Sequence, residues 1–276
     1  MRAGLVQLVV AVALASGCRG LTKQAALPTK HRMEVDQLIF QSDFELSADD
    51  PLVRELRAER GEICRTLGLP CSDEPIEVYL FRDAEVYGKF LSRHFPQVPT
   101  RRAFFLETDK SLAVYAHFSD RVAEDLRHEV AHGYLHAVVP AVPLWLDEGL
   151  AEYFEVPRGH GGLNRPHVQL LSDMQNLDGW RPNLKKLEQL SAAAQMKQPD
   201  YAESWAWVYF LLHSSPETRE QLTAYLTDVR SSDKVEPLSM RLASLQNQPE
   251  SALSEFLASL QTPQGNVGQV PRERPQ

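Results

Sequence analysis

Beyond its first twenty residues the sequence has no run of 18 apolar residues, so the body of the chain offers no membrane-spanning helix. It also lacks massed Lys and Arg. The formal net charge is −8 and the pI about 5.6, which argues against nucleic acid, whose phosphates demand clustered cations. No block of like charge is long enough to act as an interaction tail. Cysteine is scarce: there are 3, none in a C-x-x-C pair, so no sulfur-rich metal site is expected. The glycine-bearing stretch Arg158 to Arg165 has no phosphate-loop context. It predicts a loop on the rim of a cleft, and no nucleotide is expected. No internal repeat is visible.

The N-terminus stands apart. Arg2 opens it, Leu5 to Ala15 is apolar except for Gln7, and small residues lead into Cys18. That is the layout of a secretory signal over residues 1–20. Leu14-Ala15-Ser16-Gly17-Cys18 resembles a bacterial lipobox, with Ala15 where Leu is more usual. The alternative is an ordinary cleaved signal with a chance cysteine; the placement of Cys18 favours lipidation. The expectation is an exported protein, lipid-anchored through Cys18 to a membrane of the bacterial cell envelope and facing the periplasm or exterior. Residues 21–33 read as its tether. Cys64 and Cys71 have six residues between them, including Gly68 and Pro70. In an exported chain they permit a disulfide and equally two unlinked thiols.

The remainder predicts one α+β domain over residues 34–261. With 276 residues at 43% hydrophobic, one sizeable core is affordable. Val35 to Phe44 reads as a strand, Pro51 to Leu67 as a helix, Pro75 to Phe81 as a strand of period two, and Asp83 to Phe95 as a short helix. Ala103 to Leu106 and Leu112 to Ala116 read as paired strands about the turn Thr108-Asp109-Lys110. This is a small mixed sheet with helices on one face. From Arg121 the pattern is helical, over 121–138, 144–155, 166–176, 201–213, 216–230 and 237–260, the last broken near Pro249. The Pro- and Gln-rich residues 262–276 predict disorder.

On the wheel of the first of these helices, Val122, Leu126, Val130 and Tyr134 share one face, and His128 and His132 fall opposite, one turn apart. Two imidazoles so placed, about 6 Å apart at their bases, can reach one metal ion, and neutral imidazole suits Zn²⁺. In His128-Glu129-Val130-Ala131-His132 the Glu is no ligand; it takes a proton from the attacking water. The H-E-x-x-H pattern arises by chance in roughly 2 of 100 chains of this composition, so the motif alone does not decide. A polar helix face in solvent is the plain alternative. A catalytic zinc needs a third protein ligand. Leu144 to Glu155 supplies candidates: Leu146, Leu150, Tyr153 and Phe154 share one face, Glu148 and Glu152 the other. Pro140 and Pro143 turn the chain between the two helices. His136 continues the histidine stripe but lies about 12 Å along the axis from His128, too far to share its ion, and reads as a cleft or surface residue.

The pair HEVAH and LWLDEGLAEYFE resembles the gluzincin metallopeptidases and, more closely, the MA-like bacterial family DUF1570. The resemblance runs over roughly residues 35–230, specific at the metal motif and looser at IEVYLFRDAEVYGKF and YAESWAWVYFLL. It implies a zincin-like fold, zinc held by His128, His132 and Glu148, and Glu129 as general base. Glu152 matches the position of a carboxylate that orients a ligand imidazole; Glu152 as ligand is the alternative. Tyr201 matches the residue that donates to the developing oxyanion, with core packing as its alternative, and His213 is a weaker candidate. Trp205 and Trp207 read as packing residues. The metzincin pattern fails, since Leu135 and Val138 stand where Gly and His are needed. The gap from His132 to Glu148 is shorter than in the best-known gluzincins.

The function expected is therefore zinc-dependent hydrolysis of peptide bonds in a peptide or protein substrate. The alternatives are a non-catalytic, metal-stabilised scaffold lipoprotein and a hydrolase of another amide. A purely structural zinc needs no base such as Glu129, and it usually closes its fourth position with Cys or His.

Overall fold

The computed structural model describes residues 26–232 and 234–261. The signal segment with Cys18, the start of the tether and the tail from residue 262 lie outside the described residues. Among the described residues, no helix is long and apolar enough to cross a membrane.

Strands β1 (His31–Val35) and β2 (Leu38–Ser42) form a hairpin. The register pairs Val35 with Leu38 and leaves Asp36-Gln37 as a two-residue turn, with Asp36 at φ 54°. This corrects the single strand expected over Val35–Phe44. The turn lacks the glycine that usually marks such a reversal. It also ends the tether early, because residues 31–33 belong to β1.

Helix α1 (Pro51–Leu67) starts on Asp50, whose carboxylate accepts from the Leu52 N–H, and stops at Gly68 in the left-handed region, φ 65°. A disulfide joins Cys64 in its last turn to Cys71 beyond it, with Cα atoms 5.6 Å apart. Then come β3 (Ile76–Phe81), α2 (Ala84–His94), β4 (Ala103–Glu107) and β5 (Leu112–His117). The sheet order is β1-β2-β3-β5-β4; the three central strands run parallel and the outer pairs antiparallel.

The sheet is covered on both faces, not one. Phe40, Val78, Leu80 and Val114 join the main core, which also takes Leu56 of α1. On the other face Tyr87, Phe90 and Leu91 of α2 pack with Phe104, Ala113 and Tyr115. Residues Leu112 to Ala116 are consequently all buried, as a central strand between two layers requires.

The helical half comprises α3 (Val122–His136), α4 (Leu144–Phe154), α5 (Arg165–Leu177), α6 (Leu184–Leu187), α7 (Gln198–His213), α8 (Pro216–Ser231), α9 (Leu238–Leu245) and α10 (Pro249–Gln261). The short α6 was not expected from sequence. The break between α9 and α10 falls at Gln246–Gln248, where Gln248 has φ 58°. One continuous core runs from Val35 in β1 to Leu257 in α10.

Two glycines set the position of the central helices. A Cβ on Gly133 of α3 would stand 3.0 Å from the Ile76 side chain of β3. A Cβ on Gly149 of α4 would stand 2.5 Å from the Ser204 carbonyl oxygen of α7. α3 is thereby pressed to the sheet, and α4 backbone-close to α7.

Candidate metal centre

Helix α3 is not an amphipathic surface helix. Leu126, Val130 and Leu135 are buried, and so are His132 and His136 on its polar side, each 6% exposed. β4 and α4 cover that side. Arg102, just before β4, makes a two-pronged ion pair with Asp125 in the first turn of α3, at 2.8 and 2.7 Å.

His128, His132 and Glu148 converge. The Nε2 atoms of His128 and His132 stand 3.5 and 3.8 Å from the same oxygen, Glu148 Oε2. These are not hydrogen-bond lengths. Ligand atoms about 2.0–2.1 Å from one tetrahedral ion would lie about 3.3 Å apart, close to this spacing. All three ligand atoms lie within 4.8 Å of one another. Two imidazole nitrogens and a carboxylate oxygen are a donor set that suits zinc, so the residues fit such an ion. The His128 and Glu148 side chains retain 17% and 12% exposure, so both are largely buried.

Each imidazole is held from behind by a carboxylate. His128 Nδ1 lies 3.1 Å from Glu155, and His132 Nδ1 2.9 Å from Asp147. Such bonds fix the tautomer that would leave Nε2 for an ion. Glu152, expected in this role, instead pairs with His167 Nε2 of α5 at 2.7 Å, one helical turn beyond Glu148. Asn164 donates to Glu155, so the 158–165 loop serves as a support, pinned also by Arg158 to Glu62 and by Trp205 to the Gly162 carbonyl. Trp205 and Trp207 are fully buried packing residues.

His136 is not a cleft or surface residue. It is buried between Glu107 of β4, 2.6 Å from Nδ1, and Asp147 of α4, 3.0 Å from Nε2. Although burial disfavours its charge, Asp147 and Glu107 push its pKa up to about 10. Burial disfavours the charged Asp147 as well, but His132 and His136 outweigh it and hold the carboxyl far below its ordinary range.

Residues 122–236 match DUF1570, described as a protein of unknown function. No curated protein matches the chain. The DUF1570 match opens at the first residue of α3 and spans α4 and α7. It thus contains the helices that carry His128, His132 and Glu148, and also Tyr201, while the sheet and α1 precede it.

Glu129 sits among these groups. Burial raises its pKa, and His128 and His132 pull it back. Tyr201, in the first turn of α7, is half-buried; burial and then the neighbouring Glu148 push its phenol up to about 12. His213, at the other end of α7, bonds Tyr153 at 3.0 Å. Sequence reading missed Asp147, Glu155, Glu107 and His167. A signal was present: α4 carries three carboxylates and no Lys or Arg, so its counter-charges had to come from elsewhere.

Proposed function

We propose that this chain is a gluzincin-like zinc peptidase. The observation that carries the reading is the convergence of two imidazole nitrogens on one Glu148 oxygen at 3.5 and 3.8 Å, with Glu129 between the two histidines on α3. His128, His132 and Glu148 would hold the zinc. Bound there, zinc supplies a Lewis acid that polarises a carbonyl and acidifies water at neutral pH. Glu129 takes the proton of the attacking water on a carboxylate oxygen. Tyr201 stays protonated at neutral pH and donates to the oxyanion as it forms.

A peptide fits because β4 is an edge strand beside α3. In its antiparallel register with β5, Arg102 accepts from His117 N–H, so alternate residues Ala103 and Phe105 turn their backbone groups to the free edge. An extended substrate can add there as a further strand. The disulfide Cys64–Cys71 supports an oxidising compartment, and with Cys18 it extends the proposal to an envelope-anchored enzyme.

The test is a peptide-library screen with zinc-loaded protein and its Glu129→Gln variant. The variant should keep about one equivalent of zinc and lose hydrolysis by about 10²–10⁴-fold. Unchanged turnover in the variant would show that Glu129 is not the base, and wild type that takes up no zinc would end the metal reading.

A further inference from the structure

We propose that His136 is a positioning residue of the metal centre: with Glu107 and Asp147 it forms a buried chain of hydrogen bonds that fixes the His132 ring from behind. The proposal rests on the metal-binding part of the reading above and is independent of hydrolysis.

The chain has three links. His136 Nδ1 donates to Glu107 Oε2 at 2.6 Å, and His136 Nε2 to Asp147 Oδ2 at 3.0 Å. His132 Nδ1 donates to the other Asp147 oxygen, Oδ1, at 2.9 Å. All four side chains are 14% exposed or less. Each nitrogen of His136 faces a carboxylate oxygen, so both carry hydrogens and both are satisfied.

The geometry gives each member a task. Asp147 is bonded on both oxygens, which locks the carboxylate plane and so aims Oδ1 at His132. Remove His136 and Asp147 keeps a single bond, about which it can turn. Phe105 closes the group from the side of β4, with its ring 5.8 Å from His132 and 5.1 Å from His136. Glu107 and Phe105 belong to β4, Asp147 to α4 and both histidines to α3, so the chain ties three elements together at the back of one ligand.

A second cation is the rival reading, because His132, His136 and Asp147 also converge within 4.8 Å. The spacings decide against it. The contacts of 2.9 and 3.0 Å are those of direct hydrogen bonds, whereas the donor atoms of the first centre stand 3.5 and 3.8 Å apart with room for an ion.

The test measures zinc affinity of the purified full chain by competition with a chromophoric chelator, together with the visible spectrum of the Co²⁺ form. His136→Phe fills the same space without donors. It should weaken zinc by about 10–100-fold and alter the Co²⁺ bands. Glu107→Gln should weaken zinc in the same direction, and the double variant should lose no more than His136→Phe alone, since the two act through one chain. His136→Gln, whose amide can still donate to Asp147, should recover part of the loss. Urea unfolding of the chelated proteins separates positioning from packing, because a purely structural role would change stability and leave the affinity of the folded protein alone. Wild-type affinity in folded His136→Phe and Glu107→Gln overturns the proposal while the metal centre stands. Wild type that binds no zinc removes both. Should His136→Phe fail to fold, Glu107→Gln decides.

Discussion

Glu148 and Glu152 stand one turn apart on α4, and each has an oxygen within 4.8 Å of a His128 nitrogen. Glu152 closes on His167 at 2.7 Å, a contact with no room for an ion. Glu148 stands off from both His128 and His132. The expected outcome is that Glu148→Ala loses more zinc affinity than the about 10–100-fold typical of an outer partner, while Glu152→Gln stays within that range. Isothermal titration with zinc checks it; the opposite ranking would make Glu152 the ligand. The motif residues were legible because their spacing on one helix is fixed by the 3.6-residue turn, whatever the tertiary structure. Asp147, Glu155 and Glu107 were not legible as partners. Their roles depend on how α4 and β4 lie against α3, and a carboxylate beside a ligand looks in sequence like any surface acid. His136 was misplaced for a related reason: a polar face reads as solvated until something covers it.

The elements around the site are held by close backbone approach. Gly149 follows Glu148 directly, and its Cα faces the Ser204 carbonyl of α7. Gly149→Ala would put a methyl within 2.5 Å of that oxygen, so α4 must shift from α7. The expected cost is about 1–3 kcal/mol by urea denaturation, with weaker zinc binding because Asp147 and Glu148 move with the helix. Unchanged stability would mean that α4 shifts freely. The elements themselves were mostly readable, since long periodic stretches such as α1, α3 and α8 announce their type. The failure lies where the chain reverses without glycine, at Asp36-Gln37, with Asp36 at positive φ; the break before α10 was legible because Pro249 marks it. The layering was misread as well. Leu112 to Ala116 is apolar at every position, which is how a strand covered on two faces looks, yet it gives no direction for the second cover.

At the scale of the molecule, α1 joins the sheet half to the helical half through α3. Tyr134 donates to the Leu56 carbonyl at 2.9 Å, and the nearly buried Arg127 bonds Glu55 at 2.8 Å. Between these ties lies Glu59, 2% exposed, with neither carboxylate oxygen hydrogen-bonded to any of the described residues. Burial holds its pKa well above the ordinary 4.5, against the pull of Arg127. The unfolded chain ionises at about 4.5 and the folded one only at higher pH, so within that window the folded state holds the extra proton. Glu59 therefore costs least below pH 4.5, and its cost grows as pH rises toward the folded value, with a limiting slope of about 1.4 kcal/mol per pH unit. Glu59→Met removes both the unsatisfied oxygens and the titration. The variant should be more stable than wild type by about 1–3 kcal/mol near neutral pH, with a smaller gain at pH 5. Urea denaturation at fixed zinc across that range checks it. A gain that does not grow with pH would mean that Glu59 is already ionised in the folded protein, its charge balanced by Arg127.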